Sequence, residues 1–386
     1  MRIEHDRVHN GFVHSRVVAR IAVSFLVVVV AAALFSFAPS TSRAATSEVF
    51  SPRLLAPVPH SKTVYLVTQG ACGTKRCLTM WRSTDGGRSF ARRSVPLIRA
   101  TNGDPASSLD QLVFANERDG YLAVGPSAFT LYSTTNGARS WHEVALPRKN
   151  WHDLVVTPDV LYITTDRCRD HFVICGDYRV WRSSTDGKRW SALPALWRTG
   201  TAKNESYYGP SVAAYGNEVW ELESAYMATY LWRSSNDGRT FTRYVTPRLG
   251  SVAGCTVTPL SAFDLWADCP TGMQVSFVHS SDGGATWSSI SQHQFFGTAG
   301  GAFAPVTNTV AYLDYGVDSG TPNLYRLTEG GRRATPVGDL QCSQASLAFS
   351  SVADGLAICT RDYNRFLLVR TTDGGAQWSN EVLWGS

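Results

Sequence analysis

The sequence predicts an all-β chain, a seven-bladed β-propeller of four-stranded antiparallel blades over residues 45–386, behind a targeting segment at residues 1–44. Three observations predict it. A turn-forming octet recurs seven times. Two strand positions recur in step with it. No stretch after residue 45 shows a long helical period.

The octet reads Ser/Thr, any, Asp/Asn, any, Gly, any, any, aromatic. Its copies are STDGGRSF (83–90), TTNGARSW (134–141), SSTDGKRW (183–190), SSNDGRTF (234–241), SSDGGATW (280–287), the degenerate LTEGGRRA (327–334) and TTDGGAQW (371–378). The residue just before the octet is Arg82, Ser133, Arg182, Arg233, His279, Arg326 and Arg370, and before that comes Trp81, Tyr132, Trp181, Trp232, Val278, Tyr325 and Val369. A second apolar-aromatic strand lies upstream, with Tyr65, Tyr121, Tyr162, Trp220, Trp266, Tyr312 and, in the last copy, Ala357. The repeats are 44 to 51 residues apart, the size of one four-stranded blade.

The octet has a physical logic. An Asp or Asn side chain folds a turn by accepting hydrogen bonds from backbone amides a few residues on. Gly at the fifth place takes a positive φ without steric cost. The closing aromatic buries a large flat face beneath the turn.

In these octets and their spacing the chain resembles the Asp-box, or BNR, repeat family, which includes sialidases, sortilin-type receptors, tandem-propeller xyloglucanases and photosystem II assembly factors. The resemblance covers nearly all of the chain after residue 44. It implies that the box lies on the turn between the third and fourth strands of each blade, and that Asp85, Asn136, Asp282 and Asp373 are structural. In the third and fourth copies the acid is displaced by one place, to Asp186 and Asp237. In the sixth, Leu327 and Ala334 replace the hydroxyl and the aromatic, so this turn is the least typical.

Charge and cysteines place the chain outside the cytoplasm. Residues 1–44 carry five arginines against Glu4 and Asp6, so the formal charge of +5 falls to +2 without them. Such a balance gives no basis for nucleic-acid binding. Arg16 and Arg20 precede an uncharged apolar run, Ile21 to Ala38, followed by Ser42-Arg43-Ala44, which offers small residues at the −3 and −1 positions of a signal peptidase site. An uncleaved membrane anchor is the alternative, and membrane contact is expected only through this segment. Both readings export the remainder to the extracellular space or the cell surface. The eight cysteines fall in local couples, Cys72/Cys77, Cys168/Cys175, Cys255/Cys269 and Cys342/Cys359, and an exported chain favours disulfides within each. Zinc and free buried thiols are the competing readings, but there is no CxxC pair and no nearby His pair. No metal or cofactor is expected.

Fold alone does not supply a function. Sialidase chemistry needs an arginine clamp for a carboxylate, a Tyr–Glu pair and an acid. The family's Arg-Ile-Pro motif has only Arg53-Leu54-Leu55 as a counterpart, and no Asp or Glu lies between Arg53 and Thr84. Xyloglucanase acids face each other across two propellers, and this chain has room for one. The reading is a monomeric, non-catalytic propeller that binds a protein or an envelope glycan, with a scaffold or assembly role. The alternative is a sialidase-like glycoside hydrolase with a non-standard site.

The expected binding surface is the face opposite the boxes. From the upstream aromatic to the third box residue there are 20 positions in the first repeat and 23 in the third, against 15 to 17 elsewhere. These two long loops hold Cys72/Cys77 and Cys168/Cys175, each staple at the loop's base, which resembles a pre-ordered binding element; simple stabilisation of an exported loop is the alternative. The candidate contact residues are Lys75, Arg76, Arg167, Arg169 and His171 in those loops, Tyr207 and Tyr208 after the third blade, and Tyr226 and Tyr230 in the fourth.

Overall fold

The computed structural model describes residues 50–98, 104–125, 130–148, 151–165, 179–196, 208–225, 228–244, 255–271, 274–289, 302–314, 323–340, 342, 344–361 and 365–381. The targeting segment lies outside them. Among the described residues, 28 strands, β1–β28, form seven four-stranded antiparallel sheets, each built from four consecutive strands. The first strands of the blades are β1 (Ser51–Pro57), β5 (Leu109–Phe114), β9 (Trp151–Val156), β13 (Tyr208–Tyr215), β17 (Thr256–Pro259), β21 (Phe303–Pro305) and β25 (Gln344–Phe349). β1 meets β5, β5 meets β9, β9 meets β13, β13 meets β17, β21 meets β25 and β25 meets β1, so the first strands ring the axis. The chain is therefore a seven-bladed β-propeller. Its first and last blades are separate sheets, so the ring closes by packing and not by a shared strand.

The box turns explain why each blade folds. In the first, the Asp85 carboxylate accepts the amides of Arg88 (2.9 Å) and Ser89 (3.0 Å) and the Ser89 hydroxyl (2.6 Å). The Ser83 hydroxyl donates to Asp85 (2.7 Å) and accepts the Gly87 amide (2.8 Å). Burial disfavours the Asp85 anion, but bonds from Ser89, Ser83 and Arg88 outweigh it and hold the carboxyl at about 2. Asn136, Asp282 and Asp373 make the same kind of turn. The turn then docks on the turn between the first two strands of its own blade, as the Gly86 amide does on the Lys62 carbonyl (3.0 Å).

Pairing corrects three expectations. In the fourth blade the turn is capped by Asn236, whose Oδ1 accepts the Thr240 amide (2.9 Å). Asp237 instead has φ of 58° and pairs with Arg182 of the preceding blade (3.3 Å). Ser184 holds the register place of Ser83, so Asp186 is not displaced; its octet is one residue shorter on the far side. In the last blade Leu356, not Ala357, lies opposite Arg370 and holds the aromatic's place. In the sixth blade, where Leu327 removes the hydroxyl, the backbone closes the turn through the Gly331 amide and the Thr328 carbonyl (3.0 Å).

Three of the four expected cysteine couples are bridged, Cys72–Cys77, Cys255–Cys269 and Cys342–Cys359, each within one blade. The fourth expected bridge, between Cys168 and Cys175, is not among them, because Cys168 and Cys175 both lie outside the described residues.

Two repeated rows join the blades. The aromatics of the second strands reach the next blade. Tyr65 donates to the Glu117 carbonyl (2.7 Å), Trp220 to Gly283 (3.0 Å), Trp266 to Thr307 (3.1 Å) and Tyr312 to Val352 (2.6 Å). The arginines before the boxes do the same: Arg82 pairs with Glu117 (2.7 Å) and Arg233 donates to the Ala262 carbonyl (3.1 Å). Arg370 of the last blade donates to the Gly86 carbonyl of the first (3.3 Å). At that seam Leu356, Ile358 and Leu368 pack on Val64, Leu66 and Trp81. The repeated arginine is thus an inter-blade tie.

Removing one box carboxylate strands the turn amides it serves. Asp282→Ala is expected to cost about 1–3 kcal/mol, read as a lower denaturant midpoint. Asp282→Asn keeps most of the stability, since Asn136 and Asn236 cap their turns with an amide oxygen. An alanine variant as stable as the parent would remove the structural role.

Candidate functional site

The boxes and the turns between first and second strands share one face. The opposite face holds the hairpins between second and third strands, the connections between blades and the starting ends of the first strands. There the seven blades are not alike.

Four successive first strands bulge at this end. Arg53 is the extra residue between the pairs Pro52–Thr68 and Leu54–Val67. Asp110 is the extra residue between Leu109–Val124 and Gln111–Ala123. In the third blade the register slips between Trp151–Thr165 and Leu154–Ile163, and in the fourth between Tyr208–Ser224 and Ser211–Leu222. The first strands of the other three blades pair without a shift among the described residues. At the same level two of those three are pinned across the first and second strands, by the Cys255–Cys269 and Cys342–Cys359 disulfides. A bulge bends its strand and re-aims a side chain, and bulges concentrate beside functional sites.

Around the first of these bulges runs a polar chain. Arg53 donates to Gln69 (2.6 Å), Gln69 donates to Asp104, and Arg76 pairs with the other Asp104 oxygen (3.3 Å). Gln69 is buried. Asp104 also caps the short 3-10 helix Pro105–Ser108, accepting the Ala106 amide (3.0 Å). The Arg53 guanidinium lies over the ring of Phe366 in the last blade (4.4 Å). The cluster therefore draws on the last blade, the first blade and the link to the second. Burial raises the Asp104 carboxyl, but the Ala106 amide, Gln69, Arg76 and Arg53 outweigh it and hold it below its usual value. Partial burial pushes Asp110 up and lowers Arg53.

Lys75 and Arg76 open the third strand of the first blade and are exposed. Their segment is a continuous hairpin rather than a loop stapled at its base. The strands Val64–Cys72 and Lys75–Ser83 pair as far as Cys72–Lys75, and Gly73 turns between them with φ of 63°. Cys77 stands opposite Gly70, so the Cys72–Cys77 disulfide pins the tip diagonally. Tyr230 is half-buried under the Arg243 guanidinium (4.1 Å), in the fourth blade. Tyr208 pairs with Ser224. Arg167, Arg169, His171, Tyr207 and Tyr226 lie outside the described residues, as do Cys168 and Cys175 in the long loop of the third repeat. Of the expected contacts, the structure joins only Arg76 to the cluster, and it adds Gln69, Asp104 and Asp110. The available signal was Asp104-Pro105, an Asp at an N-cap followed by Pro at the first helical place. Among the described residues no group of three or more His, Cys, Asp or Glu is placed to hold a metal ion. No described helix is long and apolar enough to cross a membrane.

No protein-family model matches the chain, and no curated protein matches it in sequence. Solved structures do match in fold. YCF48 from Cyanidioschyzon merolae is 14% identical, with 84% of this chain and 96% of that chain covered and a TM-score of 0.50. The β-propeller domain of the Trilobed protease from Pyrococcus furiosus is 9% identical over 86% of this chain and 98% of that one, TM-score 0.52. An acylaminoacyl peptidase from Pyrococcus horikoshii is 10% identical, TM-score 0.55; the match covers 87% of this chain and 52% of the peptidase. What these share with the chain is the propeller fold.

Proposed function

We propose that this chain is an exported, non-catalytic propeller of the Asp-box type that binds a protein partner on the face opposite its boxes. The observation that carries this reading is the arc of four bulged first strands beside the Arg53–Gln69–Asp104–Arg76 cluster. Propellers are otherwise repetitive, and departures gathered at one end of adjacent blades are where a binding surface is built. Arginine beside acid in a partly dehydrated setting suits a partner carrying both signs of charge. A glycan platform would present open aromatic rings. The exposed rings among the described residues, Tyr215 and Phe263, lie instead on turns of the box face. Three disulfides suit the oxidising compartment that an N-terminal export segment would deliver the chain to. A fourth bridge, between Cys168 and Cys175, belongs to the same proposal.

The test places a photo-crosslinking residue at Lys75, at Asp110 or, on the box face, at Arg332, and exposes the protein to cell-envelope extract. A protein adduct is expected from the first two positions and none from the third, with capture weakened roughly tenfold by Arg53→Ala. Adducts formed only from Arg332, or adducts with glycan alone, would overturn the reading.

A further inference from the structure

A second, unassigned site lies at the seam between the first and second blades, apart from the bulged arc. After the fourth strand of the first blade, Ala91–Arg93, the chain is tied to the box turn of the second. The Ser94 amide donates to the Ala138 carbonyl (2.9 Å), and the Ser94 carbonyl accepts the Trp141 indole N–H (2.8 Å). Two recesses flank this tie and meet at Arg139. One, of about 650 Å³, has Leu78, Val95, Arg92, Arg93 and Arg139 in its lining. The other, of about 220 Å³, has Arg82, Glu117, Arg118, Asn136 and Arg139.

The charge in this trough is one-sided. Glu117 is the single acid in either lining, and it is engaged by Arg82 (2.7 Å) and Ser61 (2.9 Å). Arg92, Arg93, Arg118 and Arg139 form no ion pair among the described residues. Four guanidinium groups are therefore uncompensated here, while residues 45–386 as a whole balance at +2, so general basicity does not account for them. The second box keeps the trough positive. Asn136 caps its turn with an amide oxygen, where the first, fifth and seventh boxes use the carboxylates of Asp85, Asp282 and Asp373. Arg93 is already partly positioned, its Nη1 donating to the Arg92 carbonyl (2.8 Å).

We propose that this trough binds an anionic polysaccharide chain of the cell envelope, through carboxylate, sulfate or phosphate groups along it. A guanidinium offers parallel N–H donors to such a group, and each bond is charge-assisted. An added peptide strand does not fit, because the main-chain groups beside the trough are already bonded to Ala138, Trp141 and Arg93. An apolar anchor pocket, which carries most protein contacts, is missing too. Leu78 and Val95 are the large apolar side chains in the linings, and both pack against the core between the two blades. The arginines come from both sides of the seam, Arg92 and Arg93 from one and Arg118 and Arg139 from the other, so a linear chain reaches them better than a flat bilayer. Recognition by charge also does without the open aromatic rings on which neutral sugars stack. This site shares with the preceding reading only the export of the chain, and either can fail without the other.

The test is fluorescence anisotropy of the full chain with two labelled oligosaccharides of about eight sugars, one from heparin and one from polygalacturonate, at about 0.15 M salt. At least one is expected to bind, less tightly as salt rises, and a neutral dextran of the same length is not. Binding is expected to weaken roughly tenfold in Arg93→Gln/Arg118→Gln/Arg139→Gln. These side chains make no ion pair among the described residues, so the variant should keep the parent's melting temperature. The exposed pair Arg332→Gln/Arg333→Gln removes charge from the sixth blade and should leave binding unchanged. Four results would overturn the proposal: no binding of either acidic oligosaccharide, equal losses in both arginine variants, equally tight binding of the dextran, or a stronger dependence on the three arginines for polyglutamate or for phosphatidylglycerol vesicles than for the oligosaccharides.

Discussion

Glu221→Leu is expected to stabilise the protein, by about 3–4 kcal/mol more near pH 8 than near pH 5. Glu221 stands in the second strand of the fourth blade, in a row held elsewhere by Leu66, Leu122, Ile163, Ala267, Leu313 and Ala357. It is 1% exposed, and neither carboxyl oxygen has a hydrogen-bond partner. Burial raises its titration to about 8. An unfolded glutamate ionises near its ordinary value of 4.5, so between 4.5 and about 8 the unfolded chain binds fewer protons than the folded one. Stability therefore falls as pH rises through that window and levels off above it. Leucine removes the slope, along with the cost of an unpaired neutral carboxyl, about 1–3 kcal/mol at any pH. Thermal melts of parent and variant across about pH 5 to 8.5 should diverge as pH rises. Parallel curves would mean that the carboxyl is hydrated in solution.

How far the residues themselves disclose this molecule depends on what repeats. The boxes, the arginines before them and the aromatic row recur, and recurrence made blade number and strand order legible. Even the inter-blade ties were present as a pattern, although it takes contacts such as Arg82–Glu117, Arg182–Asp237, Arg233–Ala262 and Arg370–Gly86 to reveal what the arginine row does. Registers slipped where a box lost a residue, as after Asp186, or where a strand lost its aromatic, as at Leu356. The site was far less legible. A bulge such as Arg53 or Asp110 is defined by its cross-strand partners, and nothing in a single strand marks it. Glu221 breaks an apolar row that becomes visible only after correct alignment, while Asp268, whose titration burial pushes up to about 6, stands in a row that also holds Thr164 and Asp314.

The asymmetry at the face opposite the boxes leads to the last expectation, that the disulfides divide the work between stability and binding. Cys255 and Cys269 are fully buried in the core between the fourth and fifth blades. Their bridge closes a chain separation of 14 residues, worth about 3 kcal/mol by loop-closure entropy. Replacing both with alanine also empties packed volume, which adds to the loss. Cys72–Cys77 closes a separation of only 5 and sits in a hairpin tip that already pairs to its end, so its entropic worth is smaller, about 2 kcal/mol at most. Its consequence should appear elsewhere. Freeing the tip loosens Arg76, and with it the bond that holds Asp104 beside Gln69 and the bulged Arg53. Chemical unfolding should show the larger fall in midpoint for Cys255→Ala/Cys269→Ala, with crosslinking from Asp110 retained. The hairpin variant Cys72→Ala/Cys77→Ala should keep most of its midpoint and lose capture severalfold, because an ordered contact element binds without first being ordered. The reverse pattern, a large midpoint loss from the hairpin pair with capture intact, would make that bridge a stabilising clamp and leave the bulged arc without its pre-formed edge.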